Sequence, residues 1–188
     1  MSSNWAGRAR RPAAATQPPV VRRLAWYWQA EAANVVLMPA LMVWLSKGQV
    51  GLPAVLAIAP MCALLVAGTT YLRGKYRQLT AGVPLDRALA WLAAAQLPLL
   101  AGTLVALATM VWAWFEPALT RGLAERWVIT VAAILAALEY VNYYHRQLQH
   151  FDNASDLRRL LTGRGFRPSQ LRRDLERAGL RKARRPLR

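Results

Sequence analysis

Hydrophobic positions along this chain fall in long unbroken blocks, without the alternation of a sheet or the narrow stripe of a surface helix. Four blocks stand out: residues 24–45, 51–72, 90–115 and 127–145. Each holds about 19 to 26 residues, enough at ~1.5 Å per residue to cross a ~30 Å hydrocarbon core. Backbone groups in lipid must be satisfied within the segment that carries them, so the blocks predict helices. The expected fold is all-α: a polytopic membrane protein with four transmembrane helices. Residues 1–23 form a basic, Pro- and Ala-rich tail expected to be disordered, residues 24–145 the membrane domain, and residues 146–188 a basic helical tail.

Charge gives the blocks a direction. The chain is 55% hydrophobic, yet carries 25 Lys+Arg against 9 Asp+Glu, a formal charge of +16. The basic residues lie between blocks and at the ends: Arg8, Arg10, Arg11, Arg22 and Arg23 before the first, and Arg73, Lys75, Arg77 and Arg87 between the second and third. Thirteen more follow from Arg146 onward. The other two connections hold only Lys47, and Arg121 and Arg126 beside Glu116 and Glu125. The positive-inside asymmetry predicts an inner-membrane protein with both termini and the middle connection cytoplasmic. Trp26, Tyr27, Trp28, Tyr71, Trp91, Tyr143 and Tyr144 would form one interfacial belt, and Trp44, Trp112, Trp114, Phe115 and Trp127 the other. The polar, arginine-bearing start of the chain does not resemble an ordinary signal peptide.

Prolines at 39, 53, 60 and 98 predict kinks in the first three spans. Small residues four apart (Ala63/Ala67, Gly102/Ala106, Ala132/Ala136 and Ala133/Ala137) predict close-packing faces. Cys62 stands alone, so no intramolecular disulfide is open to it, and inside the second block it reads as a small apolar residue.

The polar residues inside the blocks are the candidate chemistry. Glu31 and Glu139 lie at similar depth from the basic side, each with an amide three residues on, Asn34 and Asn142. That spacing puts acid and amide on one helical face, which continues on the last span through Arg146 with His145 on its flank. Intramembrane carboxylates cost ~2.5–3.5 kcal/mol each, so they are expected to face the bundle and to have partners. One reading is structural: the acids pair with Arg22, Arg23, Arg146, tyrosine hydroxyls and the two amides, and so fix how the first and last spans pack. A second makes the cluster a pocket for a lipid headgroup, quinone, proton or ion. A third is a metal site built from Glu31, Glu139, His145 and His150, but di-metal bundles use Glu-x-x-His and the fourth position here is Asn.

In the tail, Asn153 is placed to cap one short helix that Gly163 would end, and a second is expected near Ser169–Ala178, with Leu171 and Leu175 on one side. Arginine outnumbers lysine twelve to one there, and Arg158, Arg159, Arg172, Arg173 and Arg177 are the expected contacts to anionic lipid. A protein partner, a second copy of the chain, or nucleic acid are weaker claims on the same charge. No phosphate loop, H-E-x-x-H or G-x-S-x-G motif occurs, and no cofactor is expected. The sequence thus favours an accessory, scaffold or binding protein of the inner membrane. The alternative is an embedded enzyme or carrier working through the Glu31/Glu139/His145 cluster.

Overall fold

A computed structural model describes residues 18–148 and 166–180. Within them run α1 (Pro19–Leu45), α2 (Leu52–Ala81), α3 (Asp86–Phe115), a 3-10 turn (Pro117–Leu119), α4 (Leu123–Tyr144) and α5 (Gln170–Arg177). The described residues form no strand; a single isolated bridge joins Arg146 to Pro168. Three helices, α2, α3 and α4, are long and apolar enough to cross a membrane, which makes this a membrane-protein fold. α1 is equally long, but Arg22, Arg23, Gln29, Glu31 and Asn34 dilute its first half.

α1, α2 and α3 overrun the apolar blocks at their basic ends. α2 continues to Ala81, so Arg73, Lys75 and Arg77 ride on its last turns and not on a connecting loop. Nothing in that stretch breaks a helix until Gly82, whose φ of 64° closes α2 in the left-handed conformation that glycine adopts without strain. Pro39, Pro60 and Pro98 lie inside α1, α2 and α3; Pro53, in contrast, sits in the first turn of α2, where its missing N–H costs nothing.

α2 is the central helix and packs on α1, α3 and α4, whereas α1 meets α4 at only a few points. Small residues let the backbones approach: Ala54, Ala57 and Ala67 of α2 and Ala132, Ala133 and Ala136 of α4 are all buried. A Cβ on Gly102 would lie 3.3 Å from Pro60, which marks close contact between α3 and α2. Of the paired small residues, Ala63 is exposed and lies on no packed face. Trp26, Trp44, Trp91, Trp112, Phe115 and Trp127 are exposed at the helix ends. Tyr71, Tyr143 and Tyr144, assigned by sequence to a belt, are buried instead. Their hydroxyls are the reason: Tyr144 donates to the Leu92 carbonyl at 2.9 Å, and a phenol that finds such a partner is better inside the bundle than at a headgroup.

At the pole away from the basic residues, Glu125 is fully buried at the start of α4. Its Oε1 accepts from the Gly51 N–H at 2.5 Å and its Oε2 from the Arg121 N–H at 2.6 Å, joining the α1–α2 and α3–α4 connections. A side chain at 51 would put a Cβ 2.9 Å from that carboxylate, so the approach requires glycine. Beside it, Trp114 stacks edge-on against Trp127, donates to Thr130 at 2.9 Å and lies beneath the Arg126 guanidinium.

At the basic pole the chain returns to the bundle after residue 165. Gln147 N–H donates to Arg167 O at 3.0 Å, and the Arg146 guanidinium to Phe166 O at 2.8 Å. Ser169 caps α5 by accepting from the Arg172 N–H, and its hydroxyl also donates to the Tyr143 carbonyl. α5 buries Leu171 and Leu175 against α3 and α4. Between those leucines Asp174 accepts from Tyr71 at 2.8 Å and from Lys75 at 2.9 Å, with Arg177 at 3.5 Å. The apolar face of this tail helix is therefore spent on the protein and not on a lipid surface.

Candidate functional site

Where α1 leaves α4, a groove of about 630 Å³ opens between α1, α2, the end of α4 and α5. The α1 wall presents Arg23, Tyr27, Glu31 and Asn34, one stripe of a helix at spacings of four and three. Facing it are Tyr71 and Lys75 of α2 and Asn142 and Tyr143 of α4, and Ser169 to Leu171 close the end. Leucines and the ring of Trp26 complete the wall, so the groove is amphipathic along its length.

At its inner end the Tyr143 hydroxyl donates to Glu31 Oε1, joining α1 to α4. Gly68 makes the room: a Cβ there would overlap the Tyr143 hydroxyl and lie 2.7 Å from the Glu31 carboxylate. Glu139 lies one turn before Tyr143 on α4, where the Asn142 side chain hydrogen-bonds it. Glu139 Oε2 is buried with no hydrogen-bond partner among the described residues. Among the described residues no ion pair reaches either acid; the salt bridges there are Lys75–Asp174, Arg177–Asp174 and Arg172–Glu176. Asn142 Oδ1 accepts from the Leu148 N–H at 2.9 Å and so finishes the end of α4.

The sequence-level cluster is thus divided. Glu31, Asn34 and Asn142 border the groove, and Glu139 stands behind them. His145 is placed by the Tyr140 ring, 5.5 Å between centroids, and Arg146 reaches the returning tail. No group of three or more His, Cys, Asp or Glu among the described residues could hold a metal ion; His150 lies outside them. Arg158 and Arg159 also lie outside them. Arg172 is 14% exposed and bonded to Glu176, while Arg177 is 77% exposed.

Three parts of this pole escape a reading of the sequence. The Tyr71–Asp174–Lys75 contact spans 103 residues of chain, and no local spacing announces it. Gly68 is one small residue in an apolar helix. Tyr143 is one of three tyrosines in five residues, so its role as the partner of Glu31 is fixed only by packing. Glu125, by contrast, had a signal: a carboxylate three residues after Gly122 stands where a helix start leaves N–H groups free.

Electrostatically the groove is two-ended. At the mouth are Arg23, which is exposed, and Lys75, whose ammonium has three donors of which Asp174 takes one. At the inner end is Glu31. Such a cavity can bind and orient a polar group without performing chemistry on it. No protein-family model, curated protein or solved structure matches the chain.

Proposed function

We propose that this chain is a four-span inner-membrane protein, with both termini and the α2–α3 turn cytoplasmic, that acts as an embedded binding or scaffold subunit through the groove at its basic pole. The observation that carries the reading is the groove itself, headgroup-sized, walled by α1 and α4 and closed by a helix from the tail. Its volume lies within the ~300–1,000 Å³ usual for small-molecule sites. α1 serves as the fourth span: its second half is apolar, and the acid in its first half is satisfied by Tyr143. Arg173 and exposed Arg177 contact anionic headgroups.

Reporter fusions test the frame. Fusions at Lys47 and Glu125 are expected on the periplasmic side, and fusions at Gly82 and the C-terminus on the cytoplasmic side. A periplasmic Gly82 would end the four-span reading. The role is tested by filling the groove with Ala30→Phe, which should reproduce the phenotype of deleting the gene while the purified protein keeps its thermal transition. Full complementation by the filled variant would overturn a function located there. A carrier reading draws on the unpartnered oxygen of Glu139: Glu139→Gln would then leave a folded but inactive protein, since the amide keeps the shape and cannot ionise.

A further inference from the structure

We infer that the groove is a headgroup site for an aminophospholipid, with the phosphate at Arg23 and Lys75 and the primary ammonium at Glu31. The inference rests on the binding role proposed above and names its ligand. It starts from a mismatch of charge inside one cavity. The mouth has a surplus of positive charge, because Asp174 already accepts from Tyr71 and Lys75 and lies within reach of Arg177, while Arg23 is left over. The inner end has the opposite sign: the Glu31 carboxylate lines it, and among the described residues its hydrogen-bond donor is the neutral Tyr143 hydroxyl. Arg146, just past the end of α4, donates to the Phe166 carbonyl.

Buried charges need a partner, and an acidic end beside a basic end is complementary to a ligand carrying both signs. A simple anion would match the mouth and leave Glu31 with the Tyr143 hydroxyl alone; a simple cation would match Glu31 and leave the mouth without a counter-charge. A phosphodiester joined by two carbons to an ammonium supplies both. A primary ammonium also brings three N–H donors, enough for Glu31 and the amide oxygen of Asn34 one turn along the same wall. The occupant is a lipid and not free phosphoethanolamine because Leu24, Leu72 and exposed Trp26 line the groove beside the charged residues, apolar surface that acyl chains can cover.

The test uses the full chain purified in detergent, with lipid binding followed by native mass spectrometry or fluorescence. Phosphatidylethanolamine, phosphatidylcholine and phosphatidylglycerol of identical chains are compared. The ethanolamine lipid should bind roughly tenfold more tightly than the choline lipid, whose methylated nitrogen has no N–H to give. Glu31→Gln, which keeps an oxygen for Tyr143, should erase that preference; Arg23→Gln should weaken all three lipids together. If Glu31→Gln does not give a folded protein, Ala30→Phe puts the same question by occupying the space beside Glu31, and must lower ethanolamine-lipid binding. Equal binding of the ethanolamine and choline lipids, tighter binding of the glycerol lipid, or a preference that survives these variants would overturn the inference. Competition by soluble phosphoethanolamine as effective as that of the lipid would overturn the assignment to a lipid. Headgroup-blind phospholipid binding sinks only this inference, whereas a periplasmic basic pole sinks the broader reading as well.

Discussion

Each carboxylate held in the bundle costs ~2.5–3.5 kcal/mol on insertion scales unless something offsets it, and three glutamates meet that cost differently. Glu125 is satisfied by two backbone N–H groups, Glu31 by a phenol, and Glu139 leaves one oxygen without a described partner. The difference predicts an order of sensitivity. Glu125→Ala removes the acceptor of two part-buried donors, at up to about 1–3 kcal/mol each, and Glu125→Gln, with one carbonyl oxygen, leaves only one without it. Thermal melts of the purified variants should therefore rank wild type above Gln and Gln above Ala; equal melting of all three would contradict the brace. Gly68→Ala should cost about 1–3 kcal/mol, because its methyl must displace the Tyr143–Glu31 contact. Of these residues the sequence makes Glu31, Asn34 and Asn142 legible, because acid and amide one turn apart share a face. It is silent on Gly68 and Tyr143, whose roles exist only once α1, α2 and α4 are side by side.

The clearest lesson of the elements is α5. Its amphipathic pattern can be read in advance, but leucines on one face and arginines on the others suit a membrane surface as well as a protein groove. What decides is Asp174, lodged between Leu171 and Leu175, which would be costly against lipid and finds Tyr71 and Lys75 on α2. Leu175→Ala removes a buried side chain at about 2–5 kcal/mol, comparable to what so short a helix has to hold it. α5 should then undock without melting the bundle. Trypsin would cut sooner at Arg172, Arg173 and Arg177, while the main thermal transition moves little. Unchanged cleavage together with a collapsed bundle would mean that α5 is a structural part of the core. The basic ends of α2 and α3 were harder to read: hydropathy marks where lipid ends, and a helix continues until a residue such as Gly82 stops it.

On the scale of the whole molecule, apolar blocks and charge asymmetry made the helical membrane class legible. The depth at which α1 sits was not, because its polar first half is explained by contacts across the bundle and not by its own composition. α1 rests mainly on α2, so its orientation should depend on its own flanking charge. Neutralising Arg22 and Arg23 should give a mixed population for α1 while α2, α3 and α4, anchored by Arg73, Lys75, Arg77 and Arg87, keep theirs. A Lys47→Cys probe in a Cys62→Ser background reports this through an impermeant maleimide: labelling in intact cells should fall partway. Complete retention would show that packing on α2 alone holds α1 in place.

The Glu125 brace ties the two interhelical connections at one pole, whereas at the other, among the described residues, α1 is held to α4 by one side-chain hydrogen bond, Tyr143 to Glu31. Mechanically this is a clothes peg, sprung at the closed end and free to gape at the other. Breaking one phenol contact would widen the jaws by tilting α1 while its fulcrum at Gly51 stays put. Access to the bundle interior would then be controlled from the basic face alone.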